Sequence, residues 1–273
     1  MMAGVNHYEL AREYETINHY RAGAAAKLEL NRPGRLNAWD AQLAADLLAA
    51  LSEAGADPSV RAVLITGAGR AFSSGADLGG VPDSRAGVPD LSSRLIERYH
   101  PIIHAVREMP KPVVSAVHGA AAGIGVSLAL ACDLVVAAES GYFLLAFVNI
   151  GLVPDGGSSL FVPSRVGFTR AAEMAMRGER ISARQALAWG LINRVWPDEE
   201  FTDRVHEFVS RLADGPTRSY AGIKRQLNNW LYQQMGAQLE LEAGIQQEMA
   251  GSSDFAEGVA AFGEKRKPRF SGT

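Results

Sequence analysis

Hydrophobic and polar positions along this chain follow two rhythms, and the switches between them predict its elements. Period-two stretches at residues 13–19 and 24–30, joined by a turn at 21–23, read as a hairpin. Pro33 ends the second strand, because proline gives no N–H to a ladder and turns its predecessor away from helix. Leu43, Leu47, Leu48 and Leu51 then recur at helical spacing across 41–54. An apolar strand at 60–66 follows, then a glycine- and proline-rich loop at 79–90, a helix at 91–108 and a strand at 112–117. Next come a glycine turn, a helix to Cys132, a strand at 134–137 and an extended piece at 142–145. Such regular alternation predicts an α/β core with largely parallel strands. Beyond it strands nearly vanish: Ser182 reads as the N-cap of a helix to Trp189, and 217–234, 237–249 and 254–264 carry helical periodicity. The expected division is a core over 1–200 and a helical region over 201–273.

Composition narrows the function classes. Hydrophobic residues are 47% of the 273 and charged residues 21%, ordinary values for a globular chain. A chain of this length buries roughly three quarters of its unfolded surface without a disulfide or metal to staple it. Lys and Arg number 27 against 30 Asp and Glu, a net charge of −3, and the longest basic run is Lys265-Arg266-Lys267. That is too little positive charge to track a phosphate backbone, so nucleic acid is not an expected partner. Residues 113–132 carry no charge over roughly a membrane's thickness. Ser115, His118, Ser127 and glycines 119, 123 and 125 interrupt the run, however, and a buried strand, turn and helix explain it better than a span. The first residues lack a basic stretch followed by an apolar one, so no secretory leader is expected. Cys132 is the sole cysteine, which excludes an internal disulfide and a multi-cysteine metal site and fits a reducing, cytoplasmic location.

Two glycine turns carry candidate chemistry: 72–77 after one strand, and 118–125 between the next strand and a helix. Glycine lets a ligand approach the main chain, and a helix N-terminus offers free N–H groups. Together the turns can aim two amides at one oxyanion, or they are merely tight connections between strand and helix. Neither matches a nucleotide-binding pattern. Ser73 and Ser74 lack the surroundings of a serine nucleophile. His100 and His104 stand one helical turn apart without a third metal ligand, and His118 reads as packing at a strand end.

Asn31-Arg32-Pro33 with Asn37, the turn 72–77, Lys111-Pro112 before the turn 119–125, and the stretches 128–133, 151–157 and 181–191 resemble the crotonase (enoyl-CoA hydratase/isomerase) superfamily. The resemblance covers nearly the whole chain in order. It implies an α/β spiral of ββα units with a helical C-terminal trimerisation region, a homotrimer or dimer of trimers, and a coenzyme A thioester as substrate, with no separate cofactor and no metal. It implies that the amides of Ala76 and Ile124 hold the oxyanion, and that Arg32, Ala76, Asp77, Leu78, Lys111, Gly123, Phe147, Phe262 and Lys265 meet the coenzyme and acyl parts. Leu91, Leu95, Ile96 and Tyr99 line the acyl end or simply pack the core.

This chain departs from the family where hydratases keep their two glutamates, the matching positions being Ser127 and Phe147. Neither is a carboxylate, and general acid–base groups supply about 10²–10⁴-fold each, so the standard hydration route is disfavoured. Ile124 also stands where the family usually has glycine. One acid remains, Asp155 in Val153-Pro154-Asp155-Gly156-Gly157, at the position that resembles the base of enoyl-CoA and epoxyacyl-CoA isomerases. An apolar wall of Phe143, Leu145 and Phe147 would desolvate it and raise its pKa. The bland alternative is that Asp155 caps the helix that follows it. The expectation is a double-bond or epoxide isomerase. Alternatives are a hydratase or lyase by a non-standard route, or a non-catalytic acyl-CoA binder. A dehalogenase of this family would want a tryptophan beside the aspartate, and none lies between Trp39 and Trp189.

Overall fold

The computed structural model describes residues 8–80 and 87–273, so residues 81–86 of the expected loop lie outside the described residues. Seven strands form one sheet in the order β1 (Glu9–Glu13), β2 (Ile17–Ala22), β3 (Ala25–Leu30), β4 (Ala62–Gly67), β5 (Val113–Val117), β7 (Leu134–Ala138) and β10 (Arg194–Trp196). The first two pairings are antiparallel and the rest parallel. A second sheet of β6 (Ala120–Ala122), β8 (Tyr142–Leu144) and β9 (Ile181–Ser182) stands beside the glycine turns.

The hairpin turns later than expected. β2 and β3 meet at Ala22 and Ala25, with Gly23 at φ 54°, and a two-residue turn of this kind needs a positive φ that the glycine supplies. Tyr14 ends the stretch before β2 by donating to Ile17 O at 2.8 Å, and the exposed β1 precedes it, so the strand expected at 13–19 is divided.

The central strands read as continuous apolar runs because helices cover both faces of the sheet. On one face Leu28, Leu30, Val63 and Ile65 pack with Leu43, Leu47 and Leu51 of α1 (Ala41–Ala56). On the other, Leu64, Val114, Ala116 and Val136 meet Phe201, Val205, Val209 and Ala213 of α7 (Phe201–Asp214), a helix absent from the elements predicted above. Each buried leucine- or valine-sized side chain contributes about 1.5–3 kcal/mol. Asp40 caps α1, accepting from Leu43 N at 2.9 Å.

The helix expected at 91–108 runs over that range as α2 (Leu91–Arg94), a π turn at Leu95–Tyr99 and α3 (His100–Glu108), helical through each junction. Pro101, which has no N–H to donate, follows the π turn, a common accommodation inside a helix. α4 (Ile124–Ala131) is buried along its whole length. α5 (Ser158–Arg177) is kinked at Gly167, and α6 (Ala183–Ala188) is capped by Ser182 as expected. α8 (Thr217–Leu231), α9 (Met235–Ala250) and α10 (Ser253–Gly263) complete the chain. The uncharged window 113–132 folds into β5, β6 and α4, and among the described residues no helix is long and apolar enough to cross a membrane.

Candidate active site

Two short bridges bring the glycine turns together. Ser73 pairs with Ala121, with Ser73 N donating to Ala120 O and Ala122 N to Ser73 O, each at 2.9 Å. Trp39 pairs with Ala76: Trp39 N donates to Gly75 O at 2.8 Å and Asp77 N to Trp39 O at 2.9 Å. The second bridge leaves the Ala76 N–H outside the ladder, and Ile124 begins α4, so its N–H has no preceding turn to bond. The two segments touch backbone to backbone. Gly75 has φ 97°, and a Cβ there would lie 2.9 Å from Ala122 O, so only glycine fits. A Cβ on Gly123 would lie 3.8 Å from Gly75 Cα. The residues that follow, Ala76 and Ile124, line one cavity of about 820 Å³.

Asp155 lines the same cavity. Its side chain is 7% exposed; Oδ2 accepts from Gln246 Nε2 at 2.8 Å, and Oδ1 has no hydrogen-bond partner among the described residues. Burial first, then the negative charge of Glu242, raise its pKa to about 8; the Gln246 hydrogen bond and Arg94 pull the other way. The other acid on the cavity wall, Asp77, is held by Arg32 at 3.3 Å. Asp155 is thus the one carboxyl among the described lining residues that is outside an ion pair. A carboxyl with an unpartnered oxygen, on the same cavity as two residues whose amides have no acceptor among the described residues, is a set of groups that can lift a proton next to a carbonyl and hold the oxyanion.

Asp155 does not cap the helix. The N-terminus of α5 is capped by Glu242, whose Oε2 accepts from Gly157 N at 2.7 Å and whose Oε1 accepts from Ser159 N at 3.1 Å and from the Ser159 hydroxyl. Burial raises the Glu242 pKa to about 7, with these hydrogen bonds opposing. Only the main-chain oxygen of Asp155 serves the helix, accepting from Ser158 Oγ at 2.8 Å and Ser127 Oγ at 2.7 Å.

The family model described as enoyl-CoA hydratase/isomerase matches residues 21–273. The chain belongs to that family. It is 43% identical over 259 residues, 95% of this chain and 99% of the relative, to a Rhodobacter capsulatus protein named "Probable enoyl-CoA hydratase". It is 38% identical to the 1,2-epoxyphenylacetyl-CoA isomerase of Escherichia coli, covering 94% and 98% of the two chains. A solved enoyl-CoA hydratase from Mycobacterium avium subsp. paratuberculosis superposes with a TM-score of 0.86 at 37% identity, over 95% of this chain and all of that one. The fold is therefore the crotonase fold, and the family acts on acyl-CoA thioesters.

Within this enoyl-CoA hydratase/isomerase chain the cavity wall holds Ala76, Asp77, Leu78, Gly123, Ile124, Phe147, Asp155 and Phe262, together with Leu91, Leu95 and Tyr99. Three of the expected cations are elsewhere. Lys111 is buried against α1, donating to Ala54 O at 2.8 Å and Asp57 O at 2.6 Å, and so closes that helix. Arg32 is occupied by Asp40 at 2.8 Å and by Asp77, and its place is behind the wall. Lys265 is exposed, outside the cavity lining. The cations on the wall are Arg35, Arg94 and Arg266, of which Arg266 is held by Glu257 and Glu264. Of the expected apolar wall only Phe147 lines the cavity, Phe143 and Leu145 being core. Ile96 is 50% exposed and also outside it. Ile124 lines the cavity with Phe147, its Cδ1 2.3 Å from where a Cβ on Gly156 would be. His104 bonds Glu108 and His118 bonds Gly69 O, and the described residues hold no cluster of metal-binding side chains.

Gln246 and Glu242 escaped the sequence reading. Their signal was present: on α9 the buried face runs Met235, Leu239, Glu242, Ala243, Gln246, Ala250, so two polar residues stand in an otherwise apolar stripe.

Proposed function

We propose that this chain is an acyl-CoA isomerase that moves a double bond, or opens an epoxide, through Asp155. The carboxylate takes a proton from C2 of a 3-enoyl thioester, the amides of Ala76 and Ile124 hold the resulting dienolate oxygen, and the proton returns at C4 to give the 2-enoyl thioester. The observation that carries this reading is that Asp155, one carboxyl oxygen of which is unpartnered among the described residues, lines the same cavity as Ala76 and Ile124. Removing one oxyanion donor typically costs about 2.7–4 kcal/mol of transition-state stabilisation, which sets the scale of what each amide supplies. The likeness to the Escherichia coli isomerase supports the epoxide variant of the same chemistry.

The relative named a hydratase favours water addition instead. Against it stand Ser127, whose hydroxyl is engaged with Asp155 O, and Phe147, which leave no carboxylate at the hydratase positions. Incubating the protein with a 3-enoyl-CoA and, separately, a 2-enoyl-CoA in deuterated water separates the readings. Migration with deuterium uptake supports the isomerase; a 3-hydroxyacyl product supports hydration; a thioester that binds and returns unlabelled and unmoved leaves a passive binder.

The same reading includes a homotrimer or dimer of trimers in a cytoplasmic setting. Its support is the exposed stripe Ile223, Leu227, Trp230 and Leu231 on α8, with Trp230 82% exposed, and the free buried Cys132.

A further inference from the structure

Asp155 lies on a loop, and loops hold a carboxylate in one rotamer only when something rigid grips it. Here the grip comes from α9, from residues distant in sequence. Gln246 is 1% exposed; its Nε2 donates to Asp155 Oδ2 at 2.8 Å while its Oε1 accepts, more loosely, from Val153 N at 3.5 Å. One amide thus pins both the main chain and the side chain of the acid's own loop. One turn earlier on the same face, Glu242 fixes the residues just after Asp155 through Gly157 N and Ser159 N. The other carboxyl oxygen, Oδ1, is buried and without a hydrogen-bond partner among the described residues.

We propose that Gln246 is the positioning residue of this active site, holding the Asp155 carboxyl in one rotamer through Oδ2 while Oδ1 stays unpartnered, and that Glu242 is its partner in setting the charge that Asp155 experiences. The inference rests on Asp155 being the base. Gln246 favours the ionised carboxylate by donating to it, and Glu242 disfavours it by repulsion. The other charged or titratable groups acting on Asp155 are Arg94 of α2 and Tyr99 of the π turn. The two α9 residues therefore oppose each other in sign.

The test measures kcat and KM for a 3-enoyl-CoA across the neutral to alkaline range in the full chain. Gln246→Met keeps the volume and removes the donor: kcat at neutral pH falls by up to about 10²-fold, the scale for displacing a reacting group by an ångström. KM stays unchanged, and the rising limb of the pH profile moves to higher pH. Glu242→Gln removes the charge, and the limb moves to lower pH. Gln246→Glu adds charge next to Asp155, moves the limb up, and stands in should the methionine variant fail to fold. Limbs that stay where the parent's is in all three variants, with rates tracking only the folded fraction, overturn the proposal. Asp155→Asn is run alongside. Full turnover in that variant removes the base itself, whereas an inactive Asp155→Asn with unmoved limbs removes only the role of α9.

Discussion

Replacing Asp155 with Asn separates the two effects that its burial produces. The variant keeps the shape and an acceptor oxygen for Gln246, and it cannot ionise. In the folded chain the carboxyl holds its proton up to about 8, against the ordinary 3.8 that an unfolded chain restores. Below 3.8 both states are protonated and the site adds no pH dependence. Between 3.8 and about 8 the unfolded chain has released a proton that the folded chain keeps, so stability falls as pH rises through that window. Each pH unit is worth about 1.4 kcal/mol, so the loss at pH 7 reaches up to about 4 kcal/mol, a ceiling that water entering the cavity lowers. Asn escapes this loss. Urea unfolding followed by circular dichroism, repeated from mildly acidic to mildly alkaline pH, should show parent and variant converging at the acid end and the variant increasingly the more stable toward neutrality. Turnover should fall by about 10²–10⁴-fold in the variant while thioester binding persists. A stability difference that does not change with pH refutes the reasoning, because it means the acid is hydrated or paired in the folded chain.

Three further outcomes are expected. Gly156→Ala places a Cβ 2.3 Å from Ile124 Cδ1 and 3.0 Å from Ser127 Cβ at φ 60°; it should destabilise by about 1–3 kcal/mol, read as a lowered Tm, and Ile124→Val should restore part of the loss. Lys111→Met should lower stability by about 1–2 kcal/mol by leaving the α1 carbonyls unpaired, with KM for the acyl-CoA unchanged, whereas Arg35→Ala should raise KM; the reverse pattern in steady-state kinetics would return Lys111 to the binding site. Trp230→Glu should reduce the mass seen by light scattering to that of a single chain if the α8 stripe is the assembly face, and an unchanged mass would locate that face elsewhere.

What could be read from the sequence follows from what each kind of signal depends on. The two glycine turns were legible because main-chain geometry restricts residue type: Gly75 meets Ala122 O too closely for any side chain, and that constraint is written in the letters. Asp155 was legible because the acids expected elsewhere were missing. The cations were not, since a charge carries no mark of its partner; Arg32 and Lys111 look like phosphate binders until Asp40, Asp77 and the end of α1 are seen to hold them. The Pro-Asp-Gly-Gly motif looked like a cap because the competing cap, Glu242, arrives from 83 residues beyond Ser159.

The same distance hides the most consequential contact of the site, Gln246 to Asp155, 91 residues apart. Burial makes Asp155 a stronger base than a free aspartate, and it also makes its anion costly in the folded state. A hydrogen-bond donor on α9, together with the charge of Arg94, offsets part of that cost, while Glu242 from the same helix deepens it and caps α5. The helical region is thereby tied to the acid's environment as well as to packing. Substitutions on the inner face of α9, remote in sequence from the glycine turns, should on that account move the pH dependence of turnover before they move the affinity for the thioester.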